Sequence, residues 1–255
     1  MIEQTFRTPG PLRLDLSIPA GTIDIETDEG DETEVVVDAD DARALDDVKL
    51  ELRPRGSGHE LVLSADRSGL FSYVQVTIGA RLLGGGEYRV RVCCPHGAEL
   101  AVKTASADVV ARGRYSGGSV ATSSGDVRID DVAGDVEIKT VSGDVQVGRV
   151  EGRLVSKSVS GDLQVDGVAA GVKANTVSGD LNVVVAGGDV NIVSVSGDVE
   201  VGVRSGSRLQ VDANSVAGEL DSEVPLSDEP GAGSDGPLVR LRAKTVSGDF
   251  RIVRA

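Results

Sequence analysis

The sequence predicts an all-β protein, a right-handed parallel β-solenoid with coils of about 18 residues and an irregular β-rich N-terminal cap. Three observations predict this fold. The phrase Val-Ser-Gly-Asp recurs every 18 residues, starting at Val141, Val159, Val177 and Val195. The 255 residues include 33 glycines and only 2% aromatics. Between the glycines, apolar and polar residues alternate. Equal spacing is typical of repeat architectures, and β-branched residues with abundant Gly favour thin, regular β-structure.

Residues 1–100 form the predicted capping region, continuous with the solenoid. Six stretches in it alternate like strands: GTIDIET, TEVVVDA, VKLELRP, ELVLSAD, YVQVTI and EYRVRV. One short helix is expected within residues 40–47, with Asp40 or Asp41 as its N-cap. The first coil of a solenoid exposes unpaired strand edge, so a cover of this kind protects it from aggregation.

Residues 101–255 form the predicted solenoid, interrupted by a flexible surface insertion at 222–238. Within each coil a half-period of nine residues is visible, as in GDVEIKTVS followed by GDVQVGRVE. The third and fifth letters alternate as in a strand with one buried face, and the eighth is also expected to point inward. The predicted core includes Val145, Val147, Leu163, Val165, Leu181 and Val183.

Of the two halves of each coil, the one that keeps its residue types from repeat to repeat carries a Gly-Asp pair, and we interpret it as a corner. Its glycines, which permit a positive φ, are Gly125, Gly143, Gly161, Gly179 and Gly197. Its aspartates are Asp126, Asp144, Asp162, Asp180 and Asp198. Each Asp is expected to accept hydrogen bonds from the amides of its own corner and otherwise to face solvent.

The stretch VCCPHGAELAVKTASADVV, followed by serial Ser-Gly-Asp-Val units, resembles the bacterial toastrack family of β-strand-repeat domains. Members of that family are called "putative adhesins" or domains of unknown function. The resemblance runs from about Pro11 to the C-terminus. It implies a non-enzymatic, right-handed β-solenoid-like domain without catalytic residues. Some relatives are linked to envelope-stress signalling through fused membrane segments, which this sequence does not show.

The formal charge of −15 argues against nucleic acid and anionic membrane surfaces as partners, while weak cation binding remains open. The N-terminus lacks the pattern of a secretory signal, and no apolar run is long enough to span a bilayer. Cys93 and Cys94 are adjacent, a poor geometry for pairing with each other. Reduced thiols and a cytoplasmic location are therefore expected.

Two chemistries compete with a structural role for the aspartates, and a third concerns the cysteine pair. Paired carboxylates could act on glycosidic bonds, but both histidines lie outside the repeats and residues 125–205 contain no aromatic on which a sugar could stack. Calcium is the stronger competitor, because the nine-residue β-roll also places Asp at its corners. Lone Asp residues, however, seldom supply the six to eight oxygens that calcium needs. The Cys93-Cys94-Pro95-His96 stretch lacks the second Cys/His cluster of a structural zinc site and is interpreted as a strand end, with one Cys buried and one facing out.

These observations predict a non-catalytic scaffold or protein-interaction module with no cofactor and an unknown protein partner. Two alternatives are a surface-tethered adhesin exported by another route and a calcium-binding β-roll.

Overall fold

A computed structural model of the chain describes residues 1–65, 86–224 and 236–255. These residues fold almost entirely into strands. Seven precede the repeats: β1 Ile2–Arg7, β2 Leu12–Asp28, β3 Glu32–Ala39, β4 Lys49–Arg55, β5 Gly58–Ser64, β6 Tyr88–Pro95 and β7 Glu99–Tyr115. Ten belong to the regular repeats: β8 Gly117–Ala121, β9 Val127–Val132, β10 Val136–Lys139, β11 Val145–Val150, β12 Leu154–Lys157, β13 Leu163–Val168, β14 Gly171–Ser178, β15 Leu181–Val185, β16 Gly188–Ser196 and β17 Val199–Val203. Four follow: β18 Arg208–Ala217, β19 Leu220–Ser222, β20 Leu238–Ser247 and β21 Phe250–Arg254.

The repeats stack as two parallel ladders. The first ladder contains β8, β10, β12, β14 and β16, and the second contains β9, β11, β13, β15 and β17. In the second ladder Val145 lies between Val127 and Leu163, each 18 residues away. This register confirms the parallel solenoid and its 18-residue coil. The right hand expected from crossover geometry stays a prediction.

The N-terminal strands extend the stack and then cover it. β2 forms a whole coil, pairing in parallel with β7 on one side and with β5 and β6 on the other. β4 and β3 lie antiparallel on β5 and β6, and β1 lies antiparallel on β3. Five of the six expected N-terminal strands are present, and the sixth, residues 73–78, lies outside the described residues. The expected helix is a 3-10 helix, Ala42–Asp47, with Asp41 accepting from the Arg43 backbone N–H as its N-cap.

The stacking order departs from chain order near the C-terminus. β20 and β21 pair with β16 and β17, and β18 and β19 pair with the outer edges of β20 and β21. The later coil therefore lies between two earlier ones. Ser222 ends β19 and Leu238 begins β20, and residues 225–235 of the expected insertion lie outside the described residues.

The core is the continuous Val, Leu and Ile interior that the nine-residue pattern predicts, and all six of its named residues are at most 4% exposed. The eighth letter behaves in two ways. Val132, Val150 and Val168 point inward, as expected. The expectation is wrong at the Ser-Gly-Asp corners, where Val141 and its equivalents are exposed. There the strand alternation continues for one more step, so the preceding Thr140 takes the inward position.

Candidate functional site: the Ser-Gly-Asp corner

The corner glycines form a straight row. A Cβ atom on Gly143, Gly161, Gly179 or Gly197 would lie 2.2–2.4 Å from the carbonyl oxygen of the corner glycine one coil earlier. These four residues also have φ between 111° and 130°, which disfavours residues with a side chain. Gly125 begins the row, with its missing Cβ 2.2 Å from the Ala107 carbonyl oxygen. Glycine is therefore required because adjacent backbones touch at this corner.

The corner aspartates form a hydrogen-bonded ladder. Each carboxylate accepts from the backbone N–H of the next aspartate along the stack, with N···O distances of 2.8–3.0 Å. The bonds that were expected within one corner thus run between corners instead. The reason is that the parallel register places the next N–H about 4.8 Å along the stack, within reach of a short side chain. The members are Asp108, Asp126, Asp144, Asp162, Asp180, Asp198 and Asp249, and Glu219 donates its N–H to the last.

Two members of this ladder, Asp108 and Asp249, extend the row predicted from the repeats. Asp108 ends the Thr-Ala-Ser-Ala-Asp segment, in which Ala107 replaces the glycine. Asp249 belongs to the Val-Ser-Gly-Asp phrase that starts at Val246, beyond the 18-residue spacing. Both carry the corner sequence, which was the available signal. Asp108 keeps the 18-residue spacing, and its place in the row was missed because Ala107 replaces the glycine. Asp249 was missed because it lies 51 residues after Asp198.

Hydroxyls that are buried or half-buried close the corner from the inside. The side chains of Ser158, Thr176, Ser194 and Thr245 each donate to the backbone carbonyl two residues later, at 3.1–3.3 Å. These bonds satisfy the serine carbonyl at the turn. In the first coils the Oγ1 atoms of Thr122 and Thr140 are buried and have no such partner.

A groove of about 500 Å³ runs along the outer side of the aspartate ladder. One wall contains Asp126, Asp144 and Asp162, and the other contains Arg128, Gln146 and Gln164. The second wall continues in register through Asn182 and Glu200. Arg128 Nε donates to Gln146 Oε1 at 2.8 Å, which ties adjacent coils together. We call this second wall the amide row: Arg128, Gln146, Gln164, Asn182 and Glu200. It was not identified in the sequence because glutamines at outward positions look like ordinary solvated residues.

The cysteine pair lies at the end of β6, which pairs with β2 in the N-terminal part of the stack. Cys94 is buried and Cys93 is half-buried, as expected for a strand end. Burial raises the pKa of the Cys94 thiol to about 12. Burial also raises the pKa of Cys93, whose thiol donates to Asp28 Oδ2 at 3.4 Å. His96 bonds to the Thr27 hydroxyl at 2.6 Å. Among residues 1–65, 86–224 and 236–255, no three His, Cys, Asp or Glu side chains are grouped to hold a metal ion.

Comparisons with known proteins agree with this geometry. The family model described as Toastrack DUF4097 matches residues 14–253. A solved structure named "putative adhesin", from Bacteroides fragilis NCTC 9343, is similar at 12% identity, a TM-score of 0.55, and coverage of 99% of this chain and 96% of that one. A structure named "putative lipid binding protein", from Parabacteroides distasonis ATCC 8503, is similar at 12% identity, a TM-score of 0.53 and the same coverage. At these identities the likeness shows the fold alone. No curated protein matches the chain significantly.

Across the described ranges, no helix has the length and apolar character needed to cross a membrane.

Proposed function

Because the chain belongs to the Toastrack DUF4097 family, we propose that it serves as a non-catalytic scaffold that binds an extended segment of a protein partner. The observation that carries the proposal is the groove between the aspartate ladder and the amide row. Both walls advance by one residue per coil, so the groove offers a carboxylate at successive steps of about 4.8 Å, faced by the amides of Gln146 and Gln164 in two neighbouring coils. Such a surface suits a long, narrow partner.

The chemistry of the groove indicates the character of that partner. One oxygen of each ladder carboxylate is engaged by the next backbone N–H, while the groove wall keeps negative charge along its length. Basic or amide-bearing side chains complement such a wall, and the amide row can both donate and accept hydrogen bonds. We therefore infer an extended basic or polar segment.

A capture experiment tests this proposal. The immobilised protein is exposed to extract from the native host, in parallel with the variant Gln146→Ala/Gln164→Ala/Asn182→Ala. A matched control, Lys173→Ala/Asn191→Ala, changes exposed residues of the first ladder. The proposal predicts a protein retained by the wild type and the control and lost with the groove variant. Retention of the same proteins by all three would contradict it.

We also propose a cytoplasmic location for this scaffold. Both cysteines are free thiols, which favours a reducing compartment such as the cytoplasm. The adhesin alternative draws support from the name of the Bacteroides structure, and it requires the chain to reach the cell surface. Fractionation of host cells separates the two. A captured partner from the cell envelope would extend the scaffold role to envelope-stress signalling.

A further inference from the structure

Exposed valines form a row beside the aspartate ladder. Among the described residues nine large hydrophobic side chains are exposed, and six of them occupy the same corner position. These are Val141 (36% exposed), Val159 (46%), Val177 (46%), Val195 (44%), Val246 (49%) and Val216 (83%). Backbone bonds from Ser160 N–H to the Val141 carbonyl, and from Ser178 N–H to the Val159 carbonyl, place successive valines one coil apart. We call this set the valine row.

The corner does not need valine at this position. Ala105 and Ser123 occupy it in the first two coils, and the same bond pattern holds there: Ser124 N–H donates to Ala105 and Ser142 N–H to Ser123. Both of these corners keep the aspartate ladder, since Asp126 N–H donates to Asp108 and Asp144 N–H donates to Asp126. Continuous apolar rows on a protein surface often mark contact sites. The valine row is thus a candidate interface rather than a requirement of the turn.

The two flanks of the valine row carry opposite charges. On one flank, two residues before Val141, Val159 and Val246, the exposed position holds Lys139, Lys157 and Lys244, and Lys103 holds the same position before Ala105. Before Val177, Val195 and Val216 the position holds Asn175, Val193 and Asn214. On the other flank, three residues after each valine, runs the aspartate ladder. At Val141, Val159 and Val246 the order across the corner is therefore lysine, valine, aspartate. An anionic membrane or a nucleic acid would meet the aspartates, which disfavours both.

We propose that the valine row is the interface of a homodimer, with a second copy of this chain related by a two-fold axis parallel to the row. This rotation places valine on valine. It also places the lysine flank of each copy against the aspartate flank of the other, so a single surface is complementary to itself. A two-fold axis perpendicular to the row would instead place lysine on lysine. The net charge of −15 opposes association at long range, but salt screens that repulsion beyond about 10 Å while close pairs persist.

Sedimentation over a concentration series tests the dimer. The wild type is expected to associate reversibly. The variant Val141→Thr/Val159→Thr/Val177→Thr keeps shape and β-propensity, and it is expected to weaken association at least tenfold. A matched control, Val110→Thr/Val184→Thr/Val253→Thr, changes half-buried valines of the second ladder and its extension, and is expected to associate like the wild type. A wild type that stays monomeric, or a row variant that associates like the control, overturns the proposal.

Cross-linking tests the symmetry. Because the axis runs along the row, each valine meets its own counterpart. In a Cys93→Ser background, Val159→Cys is therefore expected to form a disulfide-linked dimer on mild oxidation, much faster than Val184→Cys. Equal rates at both sites would overturn the arrangement. Sedimentation with anionic vesicles tests an anionic membrane as the alternative occupant of the valine row. A wild type that stays monomeric and binds the vesicles through the valine row would overturn the dimer in favour of a membrane contact.

This inference is independent of the proposed function. The row variant Val141→Thr/Val159→Thr/Val177→Thr leaves every residue that lines the groove unchanged. A loss of the dimer with retained capture, or the reverse, therefore identifies which of the two proposals fails.

Discussion

Asp162 Oδ1 accepts a hydrogen bond of 2.8 Å from the backbone N–H of Asp180, which lies 18 residues later in the chain and one coil further along the stack. One residue thus links two coils by a side chain as well as by its backbone. Repeated along the corner, this relationship explains why the repeat keeps aspartate. Neighbouring carboxylates about 4.8 Å apart repel by roughly 0.9 kcal/mol even at the dielectric constant of water. The N–H bonds offset that repulsion.

Replacing Asp144, Asp162 and Asp180 together separates the bond from the charge. The Asn triple variant removes the repulsion and keeps an oxygen acceptor, so its free energy of unfolding is expected to stay close to that of the wild type. The Ala triple variant removes both charge and acceptor and is expected to lose about 0.5–1.5 kcal/mol per site. Urea unfolding measures the difference. Equal losses in the two variants would show that the bonds do not stabilise the stack.

Calcium is expected to act on this ladder only as a salt. One oxygen of each carboxylate is already engaged, and no metal cluster is present in the described part of the chain. Millimolar calcium should raise the melting temperature modestly, and magnesium or sodium should largely reproduce the effect. A chain that stays unfolded until calcium is added would instead support the β-roll.

Leu163 lies in the core at 3% exposure, with coils fixed on both sides. Leu163→Ala is expected to cost about 2–5 kcal/mol, because the neighbouring coils cannot collapse onto the cavity. Val159→Ala, at a position 46% exposed, serves as the control and should cost far less. Chemical denaturation gives both values, and an unchanged midpoint for Leu163→Ala would contradict the core assignment.

Gly161 and Gly167 provide a matched pair of glycines in the same coil. Gly161 has φ of 111°, and a Cβ there would lie 2.3 Å from the Gly143 carbonyl oxygen. Gly161→Ala is expected to destabilise the protein by about 1–3 kcal/mol or more. Around Gly167 nothing lies within 4 Å of an added Cβ, so Gly167→Ala should be neutral or slightly stabilising. Thermal melts compare the two, and equal tolerance would argue against the close stacking of the corner row.

The thiols predict a dependence of stability on alkaline pH. Burial raises the pKa of Cys94 from 9.0 to about 12, so above pH 9 the unfolded chain releases this proton while the folded chain keeps it. The contribution of this thiol to the free energy of unfolding is therefore fully present below pH 9 and is lost as the pH rises towards 12. Burial raises the pKa of Tyr115 as well, which adds to the fall. Cys94→Ala should reduce the slope of unfolding free energy against pH, and an unchanged slope would contradict burial of this thiol.

The sequence predicted the coil, the corner and most of the core because each depends on residues close together in the chain. Gly143 and Asp144 mark a corner through their own conformational preferences, and Val145 and Val147 mark a strand face through a period of two. The 18-residue spacing then supplied the stacking without any further information.

Two features escaped prediction because they depend on the stack as a whole. Asp198 bonds to Asp249, 51 residues later, and Asp249 to Glu219, 30 residues earlier, so no repeat spacing reveals that order. The valine row was misread because Val150 and Val141 occupy the same letter of the nine-residue unit. Along β11 the alternation of burial breaks after Val147, so that Arg149 is exposed and Val150 is buried, and a period of two does not encode this break.

The exchanged order of the outer coils has a consequence for how the chain is assembled. In the part of the chain that the structure describes, β18 finds its ladder partner only in β20, which is synthesised after it. The coil containing β18 and β19 therefore stays without its ladder partners until β20 and β21 have been synthesised and have paired with β16 and β17. Winding the coils in order of synthesis cannot complete this solenoid. The pairing of β18 with β20 instead requires the entropy cost of bringing distant parts of the chain together before the final contacts form. Slow, late closure of this end is the expected kinetic signature.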